Sequence, residues 1–255
     1  MTKFAAAVAV AGALLSGTAI AQPAKPTVVL VHGAFADSSS WNGVTRILQK
    51  DGYTVVAAAN PLRTVSGDAA YVSAIVESIK GPVVLVGHSY GGQVITNAVK
   101  GSNNVRSLVY VAAFAPEEGE AAADLAGRFP GGTLGQALAA PVRLSDGGID
   151  LSIEQARFHD QFAQDVSIEE AALMAAGQRP ITEAALTEKS GKPAWKTLPA
   201  YFIYGTGDKN IPAEALAFMA NRAGSKATVV VEGASHVVMV SQPQAVADLI
   251  EKAAQ

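Results

Sequence analysis

The sequence has 255 residues, of which 49% are hydrophobic, and carries 19 basic against 22 acidic side chains for a net charge of −3. This length predicts one domain with a full core, and the lack of a basic excess argues against nucleic acid or an anionic membrane as a partner. Cysteine is absent, which excludes disulfides, thiolate metal sites and cysteine nucleophiles. The four histidines do not have the spacing of a metal site, so no metal is expected.

The first 21 residues have the pattern of a secretory signal peptide. Lys3 supplies an early positive charge, residues 4–15 are apolar or small, and Ala19-Ile20-Ala21 forms an Ala-x-Ala cleavage site. The apolar run is too short and too rich in Ala and Gly to predict a membrane span. We therefore expect an exported mature domain, residues 22–255, that is periplasmic or secreted and has no membrane anchor after cleavage.

Strands and amphipathic helices alternate over the first half of this domain. Thr27–Val31 and Tyr53–Ala59 predict strands buried on both faces, as in the interior of a parallel sheet. Asp37–Ser40 supplies side chains that start a helix after the first strand, and Asp68 opens another after the second. The residues predicted to face inward are Trp41, Val44, Ile47 and Leu48 in the first helix, and Tyr71, Ile75 and Ile79 in the second.

The third strand leads directly into the motif Gly87-His88-Ser89-Tyr90-Gly91. Four branched apolar residues, Val83–Val86, precede the motif, and a helical pattern runs from Gln93 to Lys100. A strand, a tight turn and a helix in this order expose the serine hydroxyl above the sheet, at the N-terminus of the helix. Glycine is needed on both sides of Ser89 because side chains would collide where strand and helix cross. The motif predicts that Ser89 is a nucleophile.

A fourth strand over Val105–Val111 completes a β-α-β-α-β-α-β order, which indicates a parallel sheet with helices on its faces. After Pro116 no buried strand pattern is found until residue 200. Because a structureless loop of that length is improbable in a compact domain, the sequence predicts a helical cap at about 117–199, inserted over the C-terminal edge of the sheet. Its predicted helices are Glu118–Arg128, Ile153–Asp165, Ser167–Ala176 and Ile181–Thr187.

Two more strands complete the predicted sheet. Ala200–Tyr204 ends in a turn that contains Asp208, and Ala227–Val231 is followed by Ser235-His236. Ligands of open parallel sheets bind at the carboxyl ends of the strands, so Ser89, Asp208 and His236 are expected at one edge. The helices that follow these strands are predicted over Pro212–Asn221 and Pro243–Ala253.

These three side chains match the requirements of acyl transfer. A serine hydroxyl is a weak nucleophile at neutral pH, so a neutral imidazole must take its proton. A carboxylate on the other imidazole nitrogen orients the ring and stabilises its cation, which predicts His236 as base and Asp208 as its partner. The oxyanion requires N–H donors, predicted at Tyr90 and Ala34, with Phe35 as the alternative to Ala34.

Together these residues resemble the α/β-hydrolase superfamily over essentially the whole mature chain. The resemblance rests on Val31-His32-Gly33-Ala34 after the first strand, the Ser89 motif, Asp208 and Ser235-His236. It implies an α/β-hydrolase fold, in which helices flank a mostly parallel sheet and a helical cap is inserted. The His-Gly-Ala loop and short cap look like the branch with plant methyl esterases, hydroxynitrile lyases and small bacterial carboxylesterases.

One departure from that branch bears on activity. The resemblance associates hydroxynitrile lyases with lysine directly after the catalytic histidine and threonine in the oxyanion loop. Here Val237 and Ala34 occupy those positions. The departure counts against cyanohydrin cleavage and leaves ester hydrolysis as the simpler interpretation.

The sequence therefore predicts a cofactor-free serine hydrolase that cleaves small carboxylic esters through an acyl-enzyme. A lactonase, perhydrolase or cofactor-free haloperoxidase on the same triad remains open, as do an amidase and a ligand receptor with little turnover. The cap should line the substrate pocket, although core packing is an alternative role for its aromatic residues. The candidate substrate-binding residues are Phe35, Phe114, Phe158, Phe162 and Trp195.

Overall fold

The computed structural model describes residues 1–2, 25–99 and 101–255 of the chain. The predicted signal peptide, residues 1–21, lies outside the described residues except for its first two positions. No helix in the described part is both long and apolar enough to cross a membrane.

The core of the protein is a six-stranded sheet in which every neighbouring pair is parallel. In chain order the strands of the described part are β1 (Thr27–Val31), β2 (Val55–Ala58), β3 (Val83–His88), β4 (Val105–Val111), β5 (Val142–Arg143), β6 (Ile149–Leu151), β7 (Ile181–Thr182), β8 (Ala200–Gly205) and β9 (Ala227–Val231). The sheet order is β2-β1-β3-β4-β8-β9. The predicted α/β architecture is confirmed.

Helices cover the sheet and form most of the insertion between β4 and β8. Packing of α1 against α11, and of α2 against α3, buries the apolar residues of the central strands. Short 3₁₀ helices occupy Ser38–Trp41 and Ala194–Lys196. The α-helices are α1 (Asn42–Lys50), α2 (Val65–Ser78), α3 (Tyr90–Asn97), α4 (Ala122–Ala126), α5 (Leu134–Ala137), α6 (Gln155–Phe162), α7 (Ile168–Gly177), α8 (Glu183–Thr187), α9 (Ala213–Arg222), α10 (Val238–Ser241) and α11 (Pro243–Ala253).

The prediction that the second strand is buried on both faces was wrong. β2 covers only Val55–Ala58, and Ala57 within it is exposed. The strand pairs with β1 alone because it forms the edge of the sheet. A short apolar run does not distinguish an edge strand from a central one, since the order of strands is set by tertiary packing.

The inward face predicted for α2 was also partly wrong. Tyr71 is 41% exposed, and the buried face is formed instead by Val65, Ala69, Val72 and Val76. Asp68 lies on the same face and is buried, where it accepts a hydrogen bond from the Tyr90 hydroxyl at 2.9 Å. Because Asp68 is polar, a count of apolar residues does not place it on the inner face of the helix.

The insertion contains strands that the sequence did not predict. β5, β6 and β7 form a three-stranded antiparallel sheet beside helices α4–α8. Strands of two or three residues are too short to show alternation, and Val142 in β5 is 58% exposed. Arg63 fastens this small sheet to the main body by an ion pair with Asp150 at 2.6 Å and a hydrogen bond to the Pro180 carbonyl at 2.7 Å.

Candidate active site

Ser89 occupies a strained turn between β3 and α3. Its backbone has φ 53° and ψ −124°, outside the regions that ordinary residues favour. A Cβ on Gly87 would lie 2.5 Å from the Gly91 carbonyl oxygen, and one on Gly91 would lie 2.4 Å from the Val31 carbonyl oxygen. Both positions therefore require glycine. The serine itself is 7% exposed, at the carboxyl edge of the sheet.

His236 and Asp208 are hydrogen-bonded to each other at the same edge. The Nδ1 atom of the imidazole lies 2.6 Å from Oδ2 of the carboxylate, and both residues are buried. The second oxygen, Oδ1, accepts the backbone N–H groups of Asn210 at 2.8 Å and Ile211 at 2.9 Å. An ionised carboxylate only accepts hydrogen bonds, so the shared proton is on Nδ1 and the Nε2 lone pair is free to accept a proton.

His88 supports the loop that carries His236. Its Nε2 donates to the His236 carbonyl at 3.0 Å, and the two imidazole rings lie 4.8 Å apart between centroids. Burial, reinforced by the nearby His236, holds the pKa of His88 well below its usual value. His88 therefore stays neutral, and it adds no positive charge beside an imidazole that must itself accept a proton.

The N–H groups of Ala34 and Tyr90 make no hydrogen bond to a backbone carbonyl in the turns and loops of residues 25–99 and 101–255. Tyr90 opens α3, where unpaired N–H groups and the helix dipole favour a negative charge. Phe35, the alternative donor, does not fit that role because its N–H donates to the Arg179 carbonyl at 3.1 Å. Gly33 lies against the nucleophile, since a Cβ there would be 3.2 Å from the Ser89 hydroxyl oxygen.

A small cavity of about 100 Å³ opens beside Ser89. The polar side chains in its wall are those of Ser89, Tyr90 and Asn210, while the Tyr90 hydroxyl is engaged by Asp68. Aliphatic and aromatic groups form the rest of the wall. They include Ala34, Phe35, Phe114, Leu134, Leu186 and Ile211.

The five aromatic candidates have different positions relative to this cavity. Phe35 and Phe114 line it. Phe158 is fully buried against Phe162, with ring centroids 4.9 Å apart, and Phe162 packs in turn on the His236 imidazole at 5.1 Å. Trp195 is buried elsewhere and donates its indole N–H to the Pro116 carbonyl at 3.0 Å. These three residues do not line the cavity.

Sequence reasoning missed Leu134, Leu186 and Asn210 as wall residues. The two leucines lie on cap helices, and nothing in the sequence distinguishes them from leucines that pack in the core. Asn210 stands two residues after Asp208 in the same turn, and this proximity was the one available signal. Gln161 accepts a hydrogen bond from Thr133 and donates to the Lys209 carbonyl, which fixes its amide so that it also donates to Asn210 Oδ1 at 2.8 Å.

A larger cavity lies elsewhere. It is an open groove of about 670 Å³ between α1, α7 and α10, and Asp37, Arg46 and Glu170 stand on its rim. Neither Ser89 nor His236 lines this groove. Within residues 25–99 and 101–255, no three acidic or histidine side chains converge to hold a metal ion.

Comparison with known proteins identifies the family of this chain and several similar proteins. Residues 28–249 match the alpha/beta hydrolase family. A carbendazim hydrolyzing esterase from Nocardioides sp. (strain SG-4G) is 36% identical over 108 residues, a match that spans 36% of this chain and 43% of that protein. An alpha-hydroxynitrile lyase from Arabidopsis thaliana is 24% identical over 86% of this chain and 93% of its own length. The crystal structure of polyneuridine aldehyde esterase superposes with a TM-score of 0.78 at 20% identity, covering 91% of this chain and 100% of that one.

Proposed function

Because this chain belongs to the alpha/beta hydrolase family, we propose that it hydrolyses small carboxylic esters with Ser89, His236 and Asp208 as a catalytic triad. The observation that carries the proposal is that two independent features lie at the same carboxyl edge of the sheet. One is a serine held in a strained turn at a helix N-terminus, and the other is an imidazole whose tautomer is fixed by a buried carboxylate at 2.6 Å. This combination is typical of nucleophilic acyl transfer.

In the proposed mechanism the Ser89 oxygen attacks the ester carbonyl carbon while His236 Nε2 accepts the hydroxyl proton. The tetrahedral intermediate collapses when the alkoxide leaves and takes that proton from His236. Water then attacks the acyl-enzyme, with His236 as base again, and releases the carboxylic acid and the free serine. Asp208 keeps the proton on Nδ1 and stabilises the imidazolium that forms in each half-reaction.

The negative charge on the carbonyl oxygen would be bound by the N–H groups of Tyr90 and Ala34. Both groups are rigidly placed, one by α3 and the other by the turn after β1. A preorganised donor of this kind is worth about 3 kcal/mol of barrier. The α3 dipole supports the same charge because the intermediate forms at its positive end.

The small volume and mostly apolar wall of the cavity beside Ser89 favour a substrate with a small apolar group next to the ester. Phe35 and Phe114 line this cavity, which supports the proposal that they contact the substrate. Phe158, Phe162 and Trp195 would act only through packing, because they do not line the cavity.

The relatives include both an esterase and a hydroxynitrile lyase, and one local feature favours hydrolysis over cyanohydrin cleavage. Val237, the position where a lysine is associated with lyase activity, is an apolar side chain that is fully buried. No charge is therefore available there to stabilise a departing cyanide.

We also propose that the protein is exported, on the N-terminal sequence pattern alone.

The test is Ser89→Ala, measured with p-nitrophenyl butanoate and with a panel of lactones, peracids and cyanohydrins. We expect turnover of the ester to disappear while the thermal melting curve stays cooperative. Ser66→Ala, which changes an exposed serine, is the matched control and should retain wild-type activity. Undiminished ester hydrolysis by Ser89→Ala would end the proposal.

A further inference from the structure

The end of α6 contacts both of the loops that carry the acid–base pair. We name residues 161–165 the clamp segment. It belongs to the cap, whereas Asp208 and His236 follow strands β8 and β9 of the main sheet.

On the acid side, the clamp segment binds the backbone on both flanks of Asp208. Gln164 donates from Nε2 to the Gly207 carbonyl at 2.6 Å, and Gln161 donates from Nε2 to the Lys209 carbonyl at 3.0 Å. The space around Gly207 is tight, because a Cβ there would lie 3.0 Å from the Gln164 amide nitrogen. The carboxylate thus projects from a stretch of backbone held at two points by the cap.

On the base side, the clamp segment contacts His236 and the residue before it. Asp165 accepts the Ser235 backbone N–H at Oδ2 with a distance of 3.0 Å. The Phe162 ring packs on the His236 imidazole with centroids 5.1 Å apart. Ser235 and His236 are themselves buried, so the imidazole has little freedom to turn away from Phe162.

From these contacts we infer that Gln164 and Asp165 are positioning residues. From the cap, they hold the Asp208 carboxylate and the His236 imidazole in the relative orientation that proton transfer requires. The inference rests on the proposed function, since it presumes that this pair performs the proton transfers. The two loops also meet directly, through the Gly207 N–H and the Ala234 carbonyl at 3.0 Å. The clamp segment adds hydrogen bonds from the cap to both loops. Without them, the cap would hold the loops by packing alone.

Positioning has a kinetic consequence because proton transfer is sensitive to small displacements of the catalytic groups. A misplacement of about 1 Å can lower a rate by up to about 100-fold without a change in the chemical groups themselves. It would lower kcat rather than raise KM, since neither Gln164 nor Asp165 lines the cavity beside Ser89.

The first variant is Gln164→Leu, which keeps the size of the side chain and removes its donor. The other amide atom, Oε1, has no partner in the described part of the chain, so the bond to Gly207 is the one that is lost. We expect kcat for p-nitrophenyl butanoate, per active site titrated with a fluorophosphonate, to fall about 10-fold with KM changed less than about 2-fold. Gln155→Leu, at an exposed position at the start of α6, is the control and should match the wild type.

Two further variants test the hydrogen bond between the Ser235 N–H and the Asp165 carboxylate. Asp165→Ala removes the acceptor, and its effect should be smaller because Asp165 is exposed and water can replace the lost oxygen. Asp165→Asn keeps an acceptor oxygen without the charge and should restore kcat towards the wild-type value. An Asp165→Asn variant as slow as Asp165→Ala would contradict a positioning role for this hydrogen bond.

A double-mutant cycle with His236→Ala separates positioning from general loss of stability. When the imidazole is absent, the Asp208 carboxylate has no base to orient and its placement no longer affects proton transfer, so adding Gln164→Leu should leave the residual rate unchanged. The inference is overturned if Gln164→Leu alone stays within about 2-fold of the wild type, or if it costs about 10-fold in both backgrounds. Wild-type hydrolysis by His236→Ala alone would instead overturn the proposed function.

Discussion

The Nδ1 atom of His236 lies 2.6 Å from Oδ2 of Asp208, and the other oxygen of the carboxylate is occupied by two backbone N–H groups. This division of the two oxygens determines which tautomer the imidazole adopts. It also makes the effect of an isosteric substitution at Asp208 predictable.

An asparagine at position 208 would keep its oxygen towards the N–H groups of Asn210 and Ile211. Its NH₂ group would then face His236, so Nδ1 must accept and the ring proton moves to Nε2. Because Nε2 could no longer take the Ser89 proton, Asp208→Asn should lower kcat/KM by about 10⁴-fold. Asp160→Asn, which alters an exposed carboxylate on α6, is the control. A loss smaller than about 10-fold at Asp208 would contradict the assigned geometry.

Gly33 should be intolerant of a single methyl group. A Cβ there would lie 2.6 Å from the Ser89 Cβ and 2.7 Å from the His88 carbonyl oxygen, so the nucleophile must move. We expect Gly33→Ala to lower kcat by about 100-fold, because the serine leaves its position between base and oxyanion donors. Gly81→Ala, where the added methyl meets open space, provides the comparison. Equal kcat values for the two variants would show that the Gly33 contact does not constrain Ser89.

The small cavity should limit the length of the acyl group. Leu186 on α8 closes part of its wall, and truncation to alanine would enlarge a space of about 100 Å³. We expect Leu186→Ala to raise the ratio of kcat/KM for p-nitrophenyl hexanoate over acetate by about 10-fold or more. Leu173→Ala, at a side chain that is 66% exposed, should leave the ratio unchanged. An unaltered ratio in Leu186→Ala would place the acyl group outside this cavity.

Two buried histidines should make the fold sensitive to acid. Burial lowers the pKa of His32 from 6.5 to about 4, and burial lowers the pKa of His88 as well. In the unfolded chain both groups take up protons near pH 6.5, so their contribution is complete above that pH and is lost as the pH falls towards 4. At about 1.4 kcal/mol per pKa unit, His32 alone accounts for about 3 kcal/mol.

Asp68 acts in the opposite direction, because burial raises its pKa and its contribution is lost as pH rises. Glu251, whose pKa burial also raises, acts in the same direction as Asp68. The histidines should prevail, because both imidazoles are fully buried, whereas Glu251 is only partly buried and Asp68 keeps hydrogen bonds that lower its pKa. Urea unfolding at pH 4.5 and 7.5 measures the difference, and His32→Gln should reduce the slope with pH. A free energy of unfolding that is the same at both values, or a slope unaffected by His32→Gln, would refute this account.

The main sheet and the three catalytic candidates were predictable from sequence because they depend on local patterns. A parallel strand at the centre of a sheet is apolar throughout, and the turns after β3, β8 and β9 carry Ser89, Asp208 and His236. Gly87 and Gly91 reveal the close crossing of β3 and α3 without any knowledge of the remaining fold.

The cap was less predictable, since its parts are ordered by contacts between distant residues. β6 is stabilised by pairing with β5 and β7 and by the ion pair between Asp150 and Arg63. None of these contacts produces a hydrophobic periodicity in the three residues of β6. Phe162 is a candidate substrate-binding residue from the sequence, with core packing as the alternative, and in the structure it packs on His236. Whether a buried aromatic ring faces a cavity or a catalytic side chain depends on how α6 is docked, which helical spacing does not encode.

The proposed mechanism requires a covalent acyl-enzyme on Ser89, which intact-protein mass spectrometry after a rapid acid quench would detect. With p-nitrophenyl butanoate in excess, we expect a mass increase of one butanoyl group, localised by peptide mapping to Ser89 and absent from Ser89→Ala. Release of p-nitrophenol at steady state without any such adduct, or an adduct on another residue, would contradict it.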